Sequence, residues 1–317
     1  MQKVLITGGT GFLGSHIVKR LINKKEVESI VVPTTKIRAN TSLEFLSLKS
    51  SKLHLIEGDI RDYDFVQRMF NEYEFDTIFH LGALTEVRKC QSNPKLAYET
   101  NITGTVNILE TARLHGNVGA IMVSSSDKAY GKAPLPYKET QPLCGEGVYE
   151  VSKSCTDLIA KSYFYNFGLP VVVTRCSNLY GGGDSNFSRI VPNTIRSVLE
   201  NRQPLVWSGA QEFIREYLFV EDAVDAYMSL VENIETTKGQ AYNIGSGDKV
   251  TVIDLVGKII DKLGSNLEIL LKERSFPEIN NQYLDSSKIN RDTGWTPKTS
   301  LDEGLDQAIS AYRKIFK

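Results

Sequence analysis

Three glycines, Gly8, Gly11 and Gly14, stand at three-residue spacing between the apolar run Lys3 to Thr7 and a helix-forming stretch from Phe12 to Asn23. Strand, glycine turn and helix in that order leave few folds open to the chain. Glycine lets the turn be tight and lets another backbone come close, while the helix start presents unpaired N–H groups and the positive end of its dipole. A pyrophosphate is the group such a turn holds.

The same grammar continues along the chain. β-branched runs alternate with helical stretches: Ser29 to Val32, Lys52 to Glu57, Phe65 to Phe70, Thr77 to Leu81, a long helix from about Pro94 to His115, Ala120 to Ser124, a second long helix from about Tyr149 to Phe167, and Val171 to Thr174. This predicts βαβ units and a doubly wound parallel sheet over residues 1–176, a dinucleotide-binding domain with later returns of the chain. Beyond Arg175 the alternation fades among breakers at Pro192, Pro204, Gly239, Gly245 and Gly247. Residues 177–317 are therefore expected to form, in the main, a smaller substrate domain over the strand ends, with a crevice between the two parts. A length of 317 residues fits that division, at roughly 150 residues per domain.

Charge and cysteine usage remove other classes. Lys and Arg total 37 against 38 Asp and Glu, so no net field draws the chain to nucleic acid or to an anionic membrane. The first apolar run stops at Thr7, far short of the ~18 residues that span a bilayer; a cytoplasmic protein is expected. Cys90, Cys144, Cys155 and Cys176 form no C-x-x-C pair, and His16, His54, His80 and His115 lack partners at ligand spacing. Neither a metal site nor a disulfide framework is expected.

The residue that separates NAD from NADP belongs ~20 positions beyond the glycine turn. There the chain reads Val31-Val32-Pro33-Thr34-Thr35-Lys36-Ile37-Arg38, without a carboxylate for ribose hydroxyls. Thr34, Lys36 and Arg38 offer donors suited to a 2′-phosphate, so NADP is expected ahead of NAD.

Seven motifs run in order over nearly the whole chain: Thr7-Gly8-Gly9-Thr10-Gly11-Phe12-Leu13-Gly14, Gly58-Asp59-Ile60, His80-Leu81-Gly82-Ala83, Ser124-Ser125-Ser126, Tyr149-x-x-x-Lys153, Arg175 to Gly181 and Arg215 to Asp222. In these, and in their order, the chain resembles the extended short-chain dehydrogenase/reductases that act on nucleotide-diphosphate sugars. The resemblance implies a Rossmann-type α/β fold. It also implies a cofactor lined by Gly8, Gly11, Phe12, Leu13, Gly14, Asp59, Ile60, Leu81, Ala83, Asn101, Tyr149 and Lys153.

Tyr149 and Lys153 share one helical face. Free tyrosine, with a pKa of ~10, is a poor base at neutral pH, and a nearby ammonium lowers that value. Tyr149 then takes a proton from a sugar hydroxyl as hydride leaves the same carbon. The resemblance gives Ser126 a hydrogen bond to that hydroxyl and Lys153 a contact with the nicotinamide ribose. Asp127 and Lys128 directly follow Ser126. A 4-epimerase needs no second proton-transfer pair, whereas a 4,6-dehydratase must take the proton from carbon 5 and protonate the hydroxyl leaving carbon 6. Asp127 is the expected acid, with Lys128 as base or enolate stabiliser. By resemblance an Asp-Lys pair here looks like the CDP-glucose 4,6-dehydratases. A 4-epimerase or 4-dehydrogenase, and a non-catalytic NADP-binding regulator, are the alternatives.

For the nucleotide-diphosphate sugar, Asn178, Arg189, Arg215 and Arg274 match the family's phosphate and nucleoside contacts. Asn243 matches its nucleoside turn, and Thr85 and Glu86 lie in a loop able to reach sugar hydroxyls. The two long helices are where this family pairs subunits, implying a homodimer. Leu158, Ile159 and Phe164 serve either that interface or the monomer core.

Overall fold

The computed structural model of the protein describes all residues except 38, 40, 274–278 and 317, so Arg38 and Arg274 lie outside the described residues. In chain order the strands are β1 (Lys3–Thr7), β2 (Ser29–Thr34), β3 (Leu53–Glu57), β4 (Thr77–His80), β5 (Ala120–Ser124), β6 (Val171–Cys176), β7 (Asn178–Tyr180), β8 (Leu205–Trp207), β9 (Ile214–Phe219), β10 (Ala241–Ile244), β11 (Lys249–Thr251) and β12 (Leu270–Lys272). Seven of them form one sheet in the order β3-β2-β1-β4-β5-β6-β10, and every pairing in it is parallel. Val4-Leu5-Ile6, Ile30-Val31-Val32 and Val171-Val172-Val173 are buried throughout. That is the uninterrupted apolar run of a strand covered on both faces.

Helices supply both covers. On one face Ile17, Val18 and Leu21 of the helix Phe12–Ile22 pack with Ala223, Val224 and Tyr227 of the helix Val220–Glu232. On the other, Val66, Met69 and Phe70 of the helix Tyr63–Tyr73 pack with Ile108, Leu109 and Ala112 of the helix Gly104–His115. The doubly wound sheet expected from the alternation is present. The last strand, β10, comes from beyond residue 176 and pairs with β6.

Two small sheets lie outside this layer. β7 pairs with β9 and β9 with β11, while β8 pairs with β12. A separate cluster containing Tyr180, Ile195, Leu255, Leu305 and Tyr312 fills their side of the molecule. Strand order reverses between β1 and β4, and ligands of such sheets bind beyond the strand ends at that point.

One expectation is corrected. The stretch Pro94 to His115 is not a single helix: it runs as Pro94–Tyr98, a π-helical turn Glu99–Thr103, and Gly104–His115. The cause is Asn101, whose Nδ2 donates to Leu84 O at 3.0 Å and to Ser152 Oγ at 2.9 Å, and whose Oδ1 accepts from Leu84 N at 2.7 Å. Its carbonyl accepts from Thr105 Oγ1 at 2.6 Å and from Thr156 Oγ1 at 2.9 Å. Hydroxyls entering the ladder in this way open a helix locally.

The helix Val148–Phe167 is tied to the sheet by a buried ion pair. Arg175 on β6 donates to Asp157 through Nε at 2.7 Å and Nη2 at 3.0 Å, and through Nη1 to Tyr130 OH at 2.6 Å. Tyr130 OH donates in turn to Asn243 Oδ1 on β10 at 2.8 Å. Neither ion is accessible to water: the Arg175 and Asp157 side chains are 2% and 0% exposed. Asp157→Ala, which leaves the guanidinium buried without its carboxylate, is expected to lower the unfolding free energy by about 3–5 kcal/mol. Urea denaturation measures this, and a loss within error of zero would contradict it.

Candidate active site

The strand ends at the switch point approach each other closely. Gly8 has φ +72°, and a Cβ there would stand 2.9 Å from Gly82 N and from Leu81 C. A Cβ on Gly14 would stand 2.3 Å from Gly8 O. Gly11 is the N-cap of the helix Phe12–Ile22, with no side-chain cap and no acidic residue in the first turn. The amides of that turn therefore face outward as donors, the condition for holding an anion. Phe12 and Leu13 turn inward instead, Phe12 packing edge-on to His16 and Leu13 against the core.

A hydrogen-bonded chain fixes the facing loop. Thr7 Oγ1 accepts from Gly82 N at 3.0 Å and bonds His80 Nδ1 at 2.8 Å; His80 Nε2 bonds Thr105 Oγ1 at 2.9 Å. Burial holds the His80 pKa down at about 3, so the ring is a neutral link at physiological pH. Leu81 and Ala83 lie half-buried in this loop. Ile60 packs where a Cβ on Gly104 would sit, and its carbonyl accepts from Asn107 Nδ2 at 2.8 Å. Asp59 accepts from Arg61 at 2.6 and 2.9 Å, and that bond holds its carboxyl below the ordinary range. These residues frame a groove that fits a dinucleotide: the crowded glycines leave space only for backbone, and the donors suit phosphate.

At the β2 end, Thr34 Oγ1 donates to Lys36 O at 3.2 Å and Lys36 is exposed. A carboxylate stands beside them after all. Glu57, paired in register with Thr34 from the neighbouring strand, accepts from Ile37 N at 2.8 Å. Reading β2 alone misses it, because the residue comes from β3.

The residues expected to move protons gather around the turn after β5. Ser126 begins a 3₁₀ turn, Asp127–Tyr130; its Oγ accepts from Lys128 N at 3.2 Å and donates to Asp127 Oδ1 at 3.0 Å. Tyr149 is buried against Cys90 and Ala97. Burial pushes its pKa up, and a hydrogen bond with Ser126 is the largest opposing influence. Lys153, one helical turn further along, donates to Ser124 O at 2.7 Å, and burial brings its pKa down to about 8. The expectation that Lys153 holds the Tyr149 phenol below its ordinary pKa is thus corrected: burial dominates both groups, and each is pushed toward its neutral form. Asp127 is pushed up by burial against the pull of Lys128, Ser126 and Arg215. A carboxyl so placed can carry a proton.

Other expected ligand contacts fall into two groups. Arg189 is half-buried, pairs with Asp184 at 3.0 Å and acts electrostatically on Tyr149, so it belongs to the same cleft. Thr85 is exposed, Glu86 accepts from Lys89 at 2.6 Å, and Asn178 donates to Glu216 O at 3.2 Å. Three of the expected contacts have partners within the chain. Asn101 is occupied by Leu84 and Ser152. Asn243 is fully buried, with its amide given to Tyr130 OH, Tyr137 O and Asp285 O. Arg215 is buried and directs its guanidinium to the carbonyls of Ile214, Ile279 and Asn280.

Two neighbours are not among the residues expected from the sequence. Gln282 Oε1 accepts from Lys128 Nζ at 3.1 Å. Glu216 accepts from Gly247 N at 2.6 Å and Leu284 N at 3.0 Å. No motif marks Gln282, whereas Glu216 lies inside the Arg215 to Asp222 run. Among the described residues no cluster of three or more His, Cys, Asp or Glu is placed to hold a metal, and no helix is long and apolar enough to cross a membrane.

This geometry accords with what known proteins share with the chain. The family model for GDP-mannose 4,6 dehydratase matches residues 5–308. The chain belongs to that family. Over 98% of its length it is 31% identical to dTDP-glucose 4,6-dehydratase of Salmonella typhimurium, covering 92% of that protein, and 28% identical to CDP-glucose 4,6-dehydratase of the same organism, covering 90%. The crystal structure of dTDP-glucose 4,6-dehydratase from Streptomyces venezuelae with NAD bound matches with TM-score 0.87 and 27% identity, over 99% of this chain and 97% of that one. UDP-glucose 4-epimerase from Thermotoga maritima, solved with UDP-glucose, matches equally well, with TM-score 0.87, 27% identity and 99% of each chain.

Burial raises the Glu216 pKa to about 7. A carboxyl whose folded pKa lies above its unfolded value binds its proton more readily in the folded state. Its ionisation therefore costs stability as pH rises from about 4.5 toward 7. The protein is expected to gain stability relative to Glu216→Gln on going from pH 8 to pH 5, by on the order of 3 kcal/mol. Chemical denaturation of both proteins at the two pH values checks the sign; parallel behaviour would refute it.

Proposed function

We propose that the protein is a nucleotide-diphosphate-sugar 4,6-dehydratase that keeps a nicotinamide dinucleotide bound through a redox-neutral cycle. The observation that carries this reading is the Ser126-Asp127-Lys128 turn: a buried carboxyl and an amine stand beside the Ser126–Tyr149 pair, where an epimerase has no use for them. A nicotinamide dinucleotide held at the glycine turn by the backbone of Gly8, Gly11 and Gly14 would supply the hydride chemistry that links sugar carbon 4 to carbon 6.

The chain's own residues handle the protons. Tyr149 accepts the proton of the 4-hydroxyl through a phenolate that burial disfavours in the resting site, and Ser126, the largest influence opposing that burial, holds the sugar oxygen and favours the phenolate. Lys128 takes the carbon 5 proton or steadies the resulting enolate. Asp127 gives its proton to the 6-hydroxyl, which leaves as water. A proton returns to carbon 5 as carbon 6 is reduced, so the net change is loss of one water and formation of a 4-keto-6-deoxy sugar.

For the dinucleotide, Thr34 and Lys36 speak for NADP. Glu57 speaks for NAD, since a carboxylate accepts from ribose hydroxyls and repels a 2′-phosphate; the NAD in the solved Streptomyces relative supports the same choice. A 4-epimerase is the second reading, supported by the likeness to the Thermotoga enzyme. The Ser126, Tyr149 and Lys153 set argues against a non-catalytic regulator. A homodimer through the helix Val148–Phe167 is supported by its exposed Leu158, Tyr165 and Phe167, together with Leu114 on the helix Gly104–His115. Ile159 and Phe164 serve the monomer instead, Ile159 beside the sheet core and Phe164 over Gly239.

Incubation with CDP-glucose, dTDP-glucose, UDP-glucose and GDP-mannose, followed by mass spectrometry, is expected to show one sugar losing a single water. Unchanged mass with inverted stereochemistry would replace this reading by the epimerase. Tyr149→Phe is expected to lower turnover by about 10²–10⁴-fold without unfolding the protein, as judged by circular dichroism.

A further inference from the structure

The amide of Gln282 is fully buried, and it is only half satisfied. Lysine has no acceptor, so the atom facing Lys128 Nζ at 3.1 Å is the amide oxygen. The other end, Nε2, is buried without a hydrogen-bond partner. Its backbone is fixed: Gln282 N donates to Ile214 O at 3.0 Å, and the residue bridges Arg215 on β9. The side chain therefore leaves a rigid strand edge and meets the amine that comes directly after Asp127.

An unpartnered buried donor costs stability, and an apolar side chain of the same length would avoid the cost. Packing alone does not account for a glutamine here. The contact joins residues 154 positions apart, and it bears on the flexible side chain in the Ser126-Asp127-Lys128 turn. A lysine amine on four methylenes has many rotamers, and an acceptor on a fixed backbone removes most of them.

We propose that Gln282 is a positioning residue for the elimination step: its Oε1 holds the Lys128 amine beside Asp127, and the buried amide is retained for that contact although its Nε2 has no partner. The inference rests on the dehydratase reading, in which Lys128 acts on carbon 5 or its enolate. Removing the amide leaves Tyr149, Ser126 and Lys153 in place, so the oxidation at carbon 4 survives while the subsequent loss of water slows.

The test compares the wild-type holoenzyme with Gln282→Met and Gln282→Glu, using whichever of the four nucleotide sugars the wild type dehydrates. For Gln282→Met the expected results are a melting temperature no lower than wild type and nicotinamide reduction on mixing within threefold. Exchange of carbon 5 hydrogen with deuterated solvent and loss of water should each fall at least tenfold. Gln282→Glu, which keeps an acceptor for the amine, is expected to recover part of that loss. Unchanged water loss in Gln282→Met, or an equal fall in both steps, overturns the proposal. Acetylation of Lys128 at one pH, read by peptide mass spectrometry without sugar, gives a second measure: it should quicken severalfold in Gln282→Met but not in Gln282→Glu, and equal rates in all three proteins also overturn it. A wild type that dehydrates none of the sugars defeats the dehydratase reading, and the acetylation rates then decide the Gln282–Lys128 link separately.

Discussion

The close meeting of the β1 and β4 loops is the constraint on which the rest depends. Gly8 has no room for a side chain because the backbone of Leu81 and Gly82 occupies the space. Thr7 Oγ1 joins the two loops and passes the link through His80 to Thr105. Thr105 donates to Asn101 O, whose side chain holds Leu84 and Ser152. Ser152 lies on the helix that carries Tyr149 and Lys153, so the glycine turn and that pair are held in register by one continuous set of polar contacts. Such a set is rigid only when every member is satisfied. Neutral His80 meets that condition, since each ring nitrogen has a partner.

Burial then sets the electrical character of the cleft. Tyr149, Asp127 and Glu216 are all pushed up by desolvation, and Lys153 is pushed down. In each case burial disfavours the charged form. Charge that develops as a proton moves then meets dipoles and ions already in place to receive it.

How much can be read in the sequence depends on how locally each feature is encoded. The glycine turn and the buried strands are legible because neighbours in sequence are neighbours in space: Val171-Val172-Val173 can hardly be anything but an interior strand. Ser126, Asp127 and Lys128 are legible for the same reason. The π-helical turn is not, since it depends on Asn101 reaching the backbone of Leu84, and helix periodicity is blind to that. Glu57, Glu216 and Gln282 are hidden because strand pairing brings each to its partner from elsewhere in the chain. The backbone partners of Asn243 and Arg215 likewise come from distant parts of the chain, and the local sequence does not show them.

Arg215 is turned toward the carbonyls of Ile214, Ile279 and Asn280 and Asn243 is enclosed, so among the described residues Arg189 is the expected cationic contact that stays half-exposed. It is not idle there: it pairs with the buried Asp184, whose carboxyl burial pushes up. Asp184 holds the guanidinium through the single donor Nη1. Desolvation disfavours the carboxylate that accepts this bond, so the net hold is weakened by that cost.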